Sequence, residues 1–370
     1  MSEPPAVLIA ALTGRALAQA ARRAQYQPLV ADLFGDDDTR EAATASIRLP
    51  GSMRRGLPPR RLAAGLAELA AERTAAGLVY GSGFEDRPGL LMALQRRYRL
   101  LGNSPATVRV VKRPASLAGL CKQAQVPHPP PQSAAGSGGQ WLEKRPGASG
   151  GVHVRPLAPG APARRGRYAQ EKLPGQPISV VFVADGRRAC VLGICVEWPD
   201  PAPGQLYRYG GAARPADLAA PLAEALTAAS QRLVASTGLV GLNSADFVID
   251  GTSFALLEIN PRPGATLDLF TDPAGSVFRM HIEGCQGMLP RALPRFAPAA
   301  AAAVVYARRA VTPPERFAWP DWAADRQPAG HKVAAGAPLC TVLAEAPEAA
   351  AARALVARRS VEILARMETP

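Results

Sequence analysis

The sequence predicts a chain of mixed α/β and α+β class. An open α/β sheet stands at the amino terminus, a larger α+β body follows, and a small β/helix region ends the chain. Three observations predict this. Residues 6–32 run strand, helix, strand, which is a βαβ unit. Residues 244–260 give two strand runs around Asp250-Gly251, a pair that hairpins favour. After about residue 295 the chain breaks into short apolar runs and then one helical stretch.

Ala6 to Leu12 is the first buried strand, Thr13-Gly14-Arg15 the turn, and Ala16 to Ala24 the helix. Leu29 to Asp32 is the next strand. No Gly-x-Gly-x-x-Gly follows the first strand, so a dinucleotide cofactor is not expected. Leu78-Val79-Tyr80 is a further strand, and Gly81 to Pro88 is a loop at the carboxyl edge of the sheet, where ligands bind. Glu85 or Asp86 there could receive a substrate ammonium group, and a solvated turn with a helix cap reads equally well. Residues 105–125 are helix-rich, and 127–139 form a proline-, serine- and glycine-rich loop.

Gln140 to Pro146 is the next strand, followed by Gly147-Ala148-Ser149-Gly150-Gly151. Small residues such as Gly147, Ser149, Gly150 and Gly151 let backbone N–H groups come close to phosphate oxygens. Lys144, just before the loop, can reach the same phosphates as a point charge. A flexible hairpin is the alternative. Residues 178–184 and 190–197 read as an antiparallel pair, and Tyr207 to Gly211 as a stretch bordering a substrate. Ala219 to Ser236 is a helix that stops at Gly238.

The chain is organised around the hairpin that follows. Alternation along its second strand places Glu258 and Asn260 on one face and Leu257 and Ile259 on the other. Folding the hairpin about Thr252 brings Asp246 opposite Glu258, with Cβ atoms about 5 Å apart. Two facing carboxylates repel unless a cation lies between them. Asp246, Glu258 and Asn260 are therefore a candidate Mg²⁺ site, and Arg262 follows as an anion-binding fork. Solvated acids on an exposed hairpin are the alternative, opposed by Phe247, Val248, Leu256 and Leu257, which read as core.

Net charge is +13 over 370 residues, as scattered arginine pairs rather than a basic tail. That is compatible with an anionic small substrate; the rival class is a basic nucleic-acid-binding protein, but no nucleic-acid motif is present. The five cysteines form no Cys-x-x-Cys, and Cys190 and Cys195 read as buried thiols of a protein in a reducing, cytoplasmic compartment. The apolar segment 6–12 is too short to span a membrane and lacks the flanks of a signal peptide.

An aspartate followed about twelve residues later by Glu-x-Asn-Pro-Arg resembles the metal-binding end of the ATP-grasp ligases. Lys-x-Pro-Gly-x-x-Gly-Gly at 144–151 resembles the loop that closes over the triphosphate in that family. The resemblance implies an ATP-grasp fold with a pre-ATP-grasp α/β domain at 1–105, a catalytic domain at 106–295 and a carboxyl-terminal β region with a terminal helix at 296–370. It implies ATP and Mg²⁺ (or Mn²⁺) as cofactors, small carboxylate and amine substrates, and a homodimer among the assemblies to test. Lys112 is implied as a second phosphate-contacting lysine, and Gln170, Glu171 and Leu173 as the adenine hinge. The family's ribose-holding glutamate falls near Pro177, which cannot serve. The opening Ala-Leu-Thr-Gly-Arg-Ala-Leu-Ala resembles a branch tied to methanofuran- and tetrahydromethanopterin-linked one-carbon pathways, which makes tyramine and L-glutamate the most concrete substrate pair. Amino acid ligases and carboxylase-like enzymes share the same motifs.

Overall fold

The computed structural model describes residues 3–368. Strands β1 (Ala6–Ala10), β2 (Gln27–Asp32), β3 (Ala45–Arg48) and β4 (Ala75–Tyr80) form a parallel sheet in the order β3-β2-β1-β4. Helices α1 (Arg15–Arg23), α2 (Asp37–Ala42), α3 (Pro59–Ala70) and α4 (Pro88–Gln95) belong to this part. The edge strand β3 is not legible in the sequence because its residues are half-buried or exposed and form no apolar run. Gly14 is fixed by close packing: its N–H donates to Asp32 Oδ2 at 2.9 Å, and a Cβ there would lie 2.5 Å from Val30 Cγ1.

Helices α5 (Pro105–Lys112) and α6 (Pro114–Gln123) each begin with proline, whose missing N–H costs nothing in a first turn. Ser104 caps α5 by accepting from the Thr107 N–H at 3.1 Å. A small antiparallel sheet follows, β5 (Trp141–Lys144), β6 (Arg155–Leu157) and β7 (Tyr168–Glu171), in the order β6-β5-β7. The remaining strands are β8 (Gln176–Asp185), β9 (Ala189–Pro199), β10 (Tyr209–Arg214), β11 (Val240–Asp250), β12 (Ser253–Asn260), β13 (Ala299–Tyr306), β14 (Ala323–Ala324) and β15 (Pro338–Ala346). They make one sheet of eight in the order β12-β11-β8-β9-β10-β13-β15-β14. Helices α7 (Ala220–Thr237), α8 (Ser276–Gly284) and α9 (Ala349–Glu368) and a 3₁₀ turn at Ala265–Phe270 complete the chain.

The strand period of two gives the large sheet two apolar faces. Val180, Phe182, Ala245, Phe247 and Ile259 pack on Leu117 of α6 and on Leu226 and Leu233 of α7. On the opposite face Val181, Val183, Cys195, Ala212 and Leu242 share a core with Val7, Ile9 and Val30 of the amino-terminal sheet. Cys195 is buried as expected, whereas Cys190 is only partly so. The carboxyl-terminal strands are not a sheet of their own: β13 pairs with β10, so they continue the large sheet. The short run at Lys332-Val333, which reads as a strand, forms only an isolated bridge from Val333 to Val311.

A buried polar cluster joins this end of the chain to the amino-terminal sheet. Arg15 is buried and forms ion pairs with Asp268 and with Asp325, the latter at 2.9 Å. Asp38 accepts from the backbone N–H groups of Asp325 (2.9 Å) and Arg326 (3.0 Å), and Asp36 accepts from Gln327 Nε2 at 2.7 Å. Asp325 and Arg326 thus anchor the tail, while Trp319 and Trp322 pack on the β13–β15 core.

Burial, and then the neighbouring carboxylates of Asp325, Asp32 and Asp38, push the Asp36 carboxyl from 3.8 up to about 9. The folded chain therefore keeps a proton that the unfolded chain loses above about pH 4, and stability falls as pH rises between those values, at up to about 1.4 kcal/mol per unit. Asp36→Asn is expected to flatten this decline in thermal melts between pH 5 and pH 8.5. An unchanged slope would mean that Asp36 ionises normally in the fold.

Candidate active site

Asp246 and Glu258 are direct cross-strand partners, as the sequence predicts, but the turn is tighter than expected. Asp250 pairs with Ser253 and Phe247 with Leu256, a register that alone would set Asp246 against Leu257. A one-residue bulge at Leu257 restores the pairing with Glu258. The bulge also corrects the faces: Leu256 and Ile259 are the buried apolar pair, and Leu257 is the extra residue.

The polar face beside the bulge is densely bonded. Ser179 Oγ donates to Asp246 Oδ1 at 2.7 Å, and Asn260 Nδ2 donates to Asp246 Oδ2 at 2.7 Å. Lys112, at the end of α5, donates from Nζ to Glu258 Oε2 (2.9 Å) and Asn260 Oδ1 (3.1 Å). Burial, and then the Glu258 charge, push the Asp246 carboxyl up to about 6. Burial pushes Glu258 the same way, but the Lys112 ammonium, together with Lys144 and His153, holds the carboxyl below its ordinary value. Two carboxylates and an amide oxygen are hard donors, and the strained ionisation of Asp246 is what a divalent cation would relieve. The residues fit Mg²⁺. Among the described residues no three Asp, Glu, His or Cys side chains close a metal cage, so such an ion would complete its shell with phosphate and water.

Lys144 ends β5 and donates to Gln170 Oε1 at 2.7 Å. Burial lowers its pKa, with Glu258 opposing and Lys112 assisting. Lys144, Lys112 and Glu258 are thus brought into one electrostatic group. Gln170 donates in turn to the Pro129 carbonyl at 2.7 Å, so its side chain is pinned beneath the loop. Glu171 is exposed and Leu173 half-buried, and among the described residues no side-chain hydrogen bond or ion pair joins either to this group. Lys144→Ala is expected to raise the ATP concentration needed for half-maximal turnover by about 10-fold or more, from loss of a charge-assisted contact worth about 1.5–3 kcal/mol. Unchanged ATP dependence in steady-state kinetics would make Lys144 a structural residue.

The glycine loop is seated between two other segments. Gly147, Gly150 and Gly151 all have positive φ (69°, 72° and 72°). A Cβ on Gly147 would lie 2.7 Å from Asp86 Cα and the Glu85 carbonyl oxygen, and one on Gly151 would overlap the Tyr207 carbonyl oxygen. The Tyr209 N–H donates to the Gly150 carbonyl at 3.0 Å, and Arg145 approaches Asp86 at 3.6 Å. Gly150 itself faces open space, and Ser149 beside it is half-buried.

Arg262 is buried, and its Nε donates to Glu85 Oε1 at 2.7 Å. Glu85 also accepts from the N–H groups of Gly83 (2.7 Å) and Phe84 (2.9 Å). Its carboxyl is held below the ordinary range because Arg262, then Lys112, overcome the effect of burial. The expectation that Glu85 receives a substrate ammonium is therefore corrected: the carboxylate already has a full cationic partner. Asp86 is turned towards Arg145 and Arg87.

One residue was missed, and a second, His153, reads from sequence as structural rather than catalytic. Among the described residues the buried Nδ1 of His153, in the turn after Gly151, has no hydrogen-bond partner, and burial pushes its ring down to about 4, with Glu258 opposing. Glu197 on β9 interacts with Asp246, Glu258 and Arg262, and burial followed by the two acids pushes its carboxyl well up. The parity of Glu197 with Cys195 on the inner face could have found it.

A family model described as an ATP-grasp domain matches residues 116–266. No curated protein shows significant sequence similarity to the chain. Solved structures share its fold. The biotin carboxylase domain dimer of Hydrogenobacter thermophilus 2-oxoglutarate carboxylase, with MgADP, ADP and bicarbonate, is 14% identical at a TM-score of 0.75 and covers 98% of this chain and 90% of its own. Campylobacter jejuni biotin carboxylase is 14% identical at 0.72, covering 98% and 95%. Staphylococcus aureus N5-carboxyaminoimidazole synthetase with ADP is 14% identical at 0.66, covering 100% and 98%.

Proposed function

We propose that this chain, which has the ATP-grasp fold and an ATP-grasp domain match over residues 116–266, is an ATP-dependent carboxylate–amine ligase. The observation that carries the reading is one juxtaposition: Asp246, Glu258 and Asn260 on one strand face, with Lys112 among them and Lys144 in their field. A carboxylate acylates poorly because its leaving group is oxide. Transfer of the γ-phosphoryl group gives an acyl phosphate, and amine attack on it gives an amide, ADP and phosphate. Mg²⁺ or Mn²⁺ held by Asp246, Glu258 and Asn260 would neutralise charge on the phosphates. Lys144 and Lys112 bind phosphate oxygens. The loop 147–151, seated on 85–86 and 207–209, keeps water from the acyl phosphate. Arg262, oriented by Glu85, holds the substrate carboxylate and the oxyanion that forms on attack.

The leading substrates are an amine and a carboxylate of methanofuran- or methanopterin-type cofactor synthesis, with tyramine and L-glutamate first. The support is the resemblance of the amino-terminal segment. A second reading takes bicarbonate as the carboxylate; it is favoured by matches that span nearly the whole of carboxylase and carboxyamino-imidazole synthetase chains. A cytoplasmic setting is proposed with either; among the described residues no helix is long and apolar enough to cross a membrane. The similar Hydrogenobacter thermophilus domain is a dimer, and a homodimer is proposed here.

The test is ADP release in Mg²⁺–ATP across a grid of carboxylates, bicarbonate included, and amines, with mass spectrometry of the products. ADP release that needs both partners, with an amide of matching mass, supports the ligase. ADP release that needs bicarbonate selects the second reading. Absence of ADP with every pair counts against both.

A further inference from the structure

We infer that Glu197 is the residue that receives the incoming amine as its ammonium and takes its proton. The inference rests on the ligase reading above and assigns that reaction a group it otherwise lacks.

Strand register places Glu197 without reference to charge. Glu258 pairs with Asp246, Asp246 with Ser179, and Ser179 with Cys195, so these four form one lateral row across β12, β11, β8 and β9. Residues in such a row point to one face. Glu197 is two residues on from Cys195, hence on the same face, opposite Ala212 of β10. It lies two strands from Asp246, with strands about 4.8 Å apart. This is beside the candidate metal face, on the side where Tyr209 and the glycine loop meet.

The chemistry of the surroundings selects the ligand. Glu197 is half-buried, and among the described residues it has no hydrogen bond or ion pair, while the charges that act on it are those of Asp246, Glu258 and Arg262. The one cation of that set is committed to Glu85 at 2.7 Å. A second carboxylate or a phosphate would be repelled here. A protonated amine supplies the missing positive charge and up to three donors. Tyr209, on the neighbouring strand β10, is half-buried and is influenced by the same Glu197 charge.

An ammonium has no lone pair, so it must lose a proton before it attacks. The ammonium's own charge offsets the like charges of Asp246 and Glu258 and brings Glu197 into the step ionised, and one N–H proton then passes from the ammonium to that carboxylate. The freed lone pair forms the N–C bond to the acyl carbon, and the C–O bond to the phosphate breaks with its electron pair. The second proton on nitrogen leaves with that phosphate.

Hydroxylamine separates this role from all others, because it is largely uncharged at neutral pH and needs no base. Wild type and Glu197→Gln would be assayed in Mg²⁺–ATP with the carboxylates of the grid, with hydroxylamine for hydroxamate and with the amines for amide. Glu197→Gln is expected to keep hydroxamate formation within about 3-fold of wild type while amide formation falls by about 100-fold or more. Raising the pH should restore part of the amide rate in the variant as free amine accumulates. Equal loss of both products, or no loss of amide, overturns the assignment. A wild-type protein that makes neither product with any carboxylate fails at the ligase reading itself and takes this inference with it.

Discussion

Glu258→Gln is expected to lower Mg²⁺–ATP turnover by about 100-fold or more while leaving the chain folded. The substitution keeps shape and removes charge. Lys112 then donates to an amide instead of a carboxylate, and Asp246 loses the like charge that now raises it. Those two changes oppose each other in stability, so the melting temperature should move little. They would not oppose each other at the proposed metal site: a hard divalent ion held there would lose one of its two charged donors, and the charge neutralisation it would supply to the triphosphate would weaken. ADP release measured beside a circular dichroism melt separates the two readouts. Turnover near the wild-type rate would sink the metal assignment for this hairpin.

Gly151→Ala is expected to be nearly as severe by a different route. The added methyl would overlap the Tyr207 carbonyl oxygen, which belongs to backbone and cannot swing aside. The positive φ of 72° adds about 1–2 kcal/mol for any residue with a Cβ. The loop must therefore lift from Tyr207–Tyr209, and the Tyr209 N–H to Gly150 carbonyl bond is lost with it. Amide formation should drop by about 100-fold, and the ratio of ADP to amide should rise above one as water intercepts the acyl phosphate. Gly150→Ala is the control, since its Cβ meets open space and only the dihedral cost remains. A Gly151 variant with a ratio of one would show that the seated loop does not exclude water.

The pairing of Asp246 with Glu258 was legible because acids on an apolar hairpin leave few arrangements. The bulge at Leu257 was not, because Asp-Gly-Thr-Ser accommodates turns of two or three central residues, and only packing on α7 and α6 selects between them. The commitment of Glu85 to Arg262 joins residues 177 positions apart, and no local pattern carries such a contact. The continuation of the large sheet by β13 was equally hidden: Ala299 to Ala303 has little strand preference of its own and is held extended by β10 and β15 on either side. The βαβ opening and the glycine loop were readable because turn residues and apolar runs mark them locally.

The ion pair between Glu85 and Arg262 has a consequence for selectivity under the proposed reaction. Glu85 is an internal counterpart of the substrate carboxylate, already in place on the guanidinium. Substrate binding is then an exchange or a sharing of one fork between two anions, not the capture of a charge by an empty receptor. An exchange gains little net Coulomb energy, so affinity must come from the rest of the molecule that carries the carboxylate. Small stray acids such as acetate would share the fork's charge without that remainder and should be weak competitors even at high concentration.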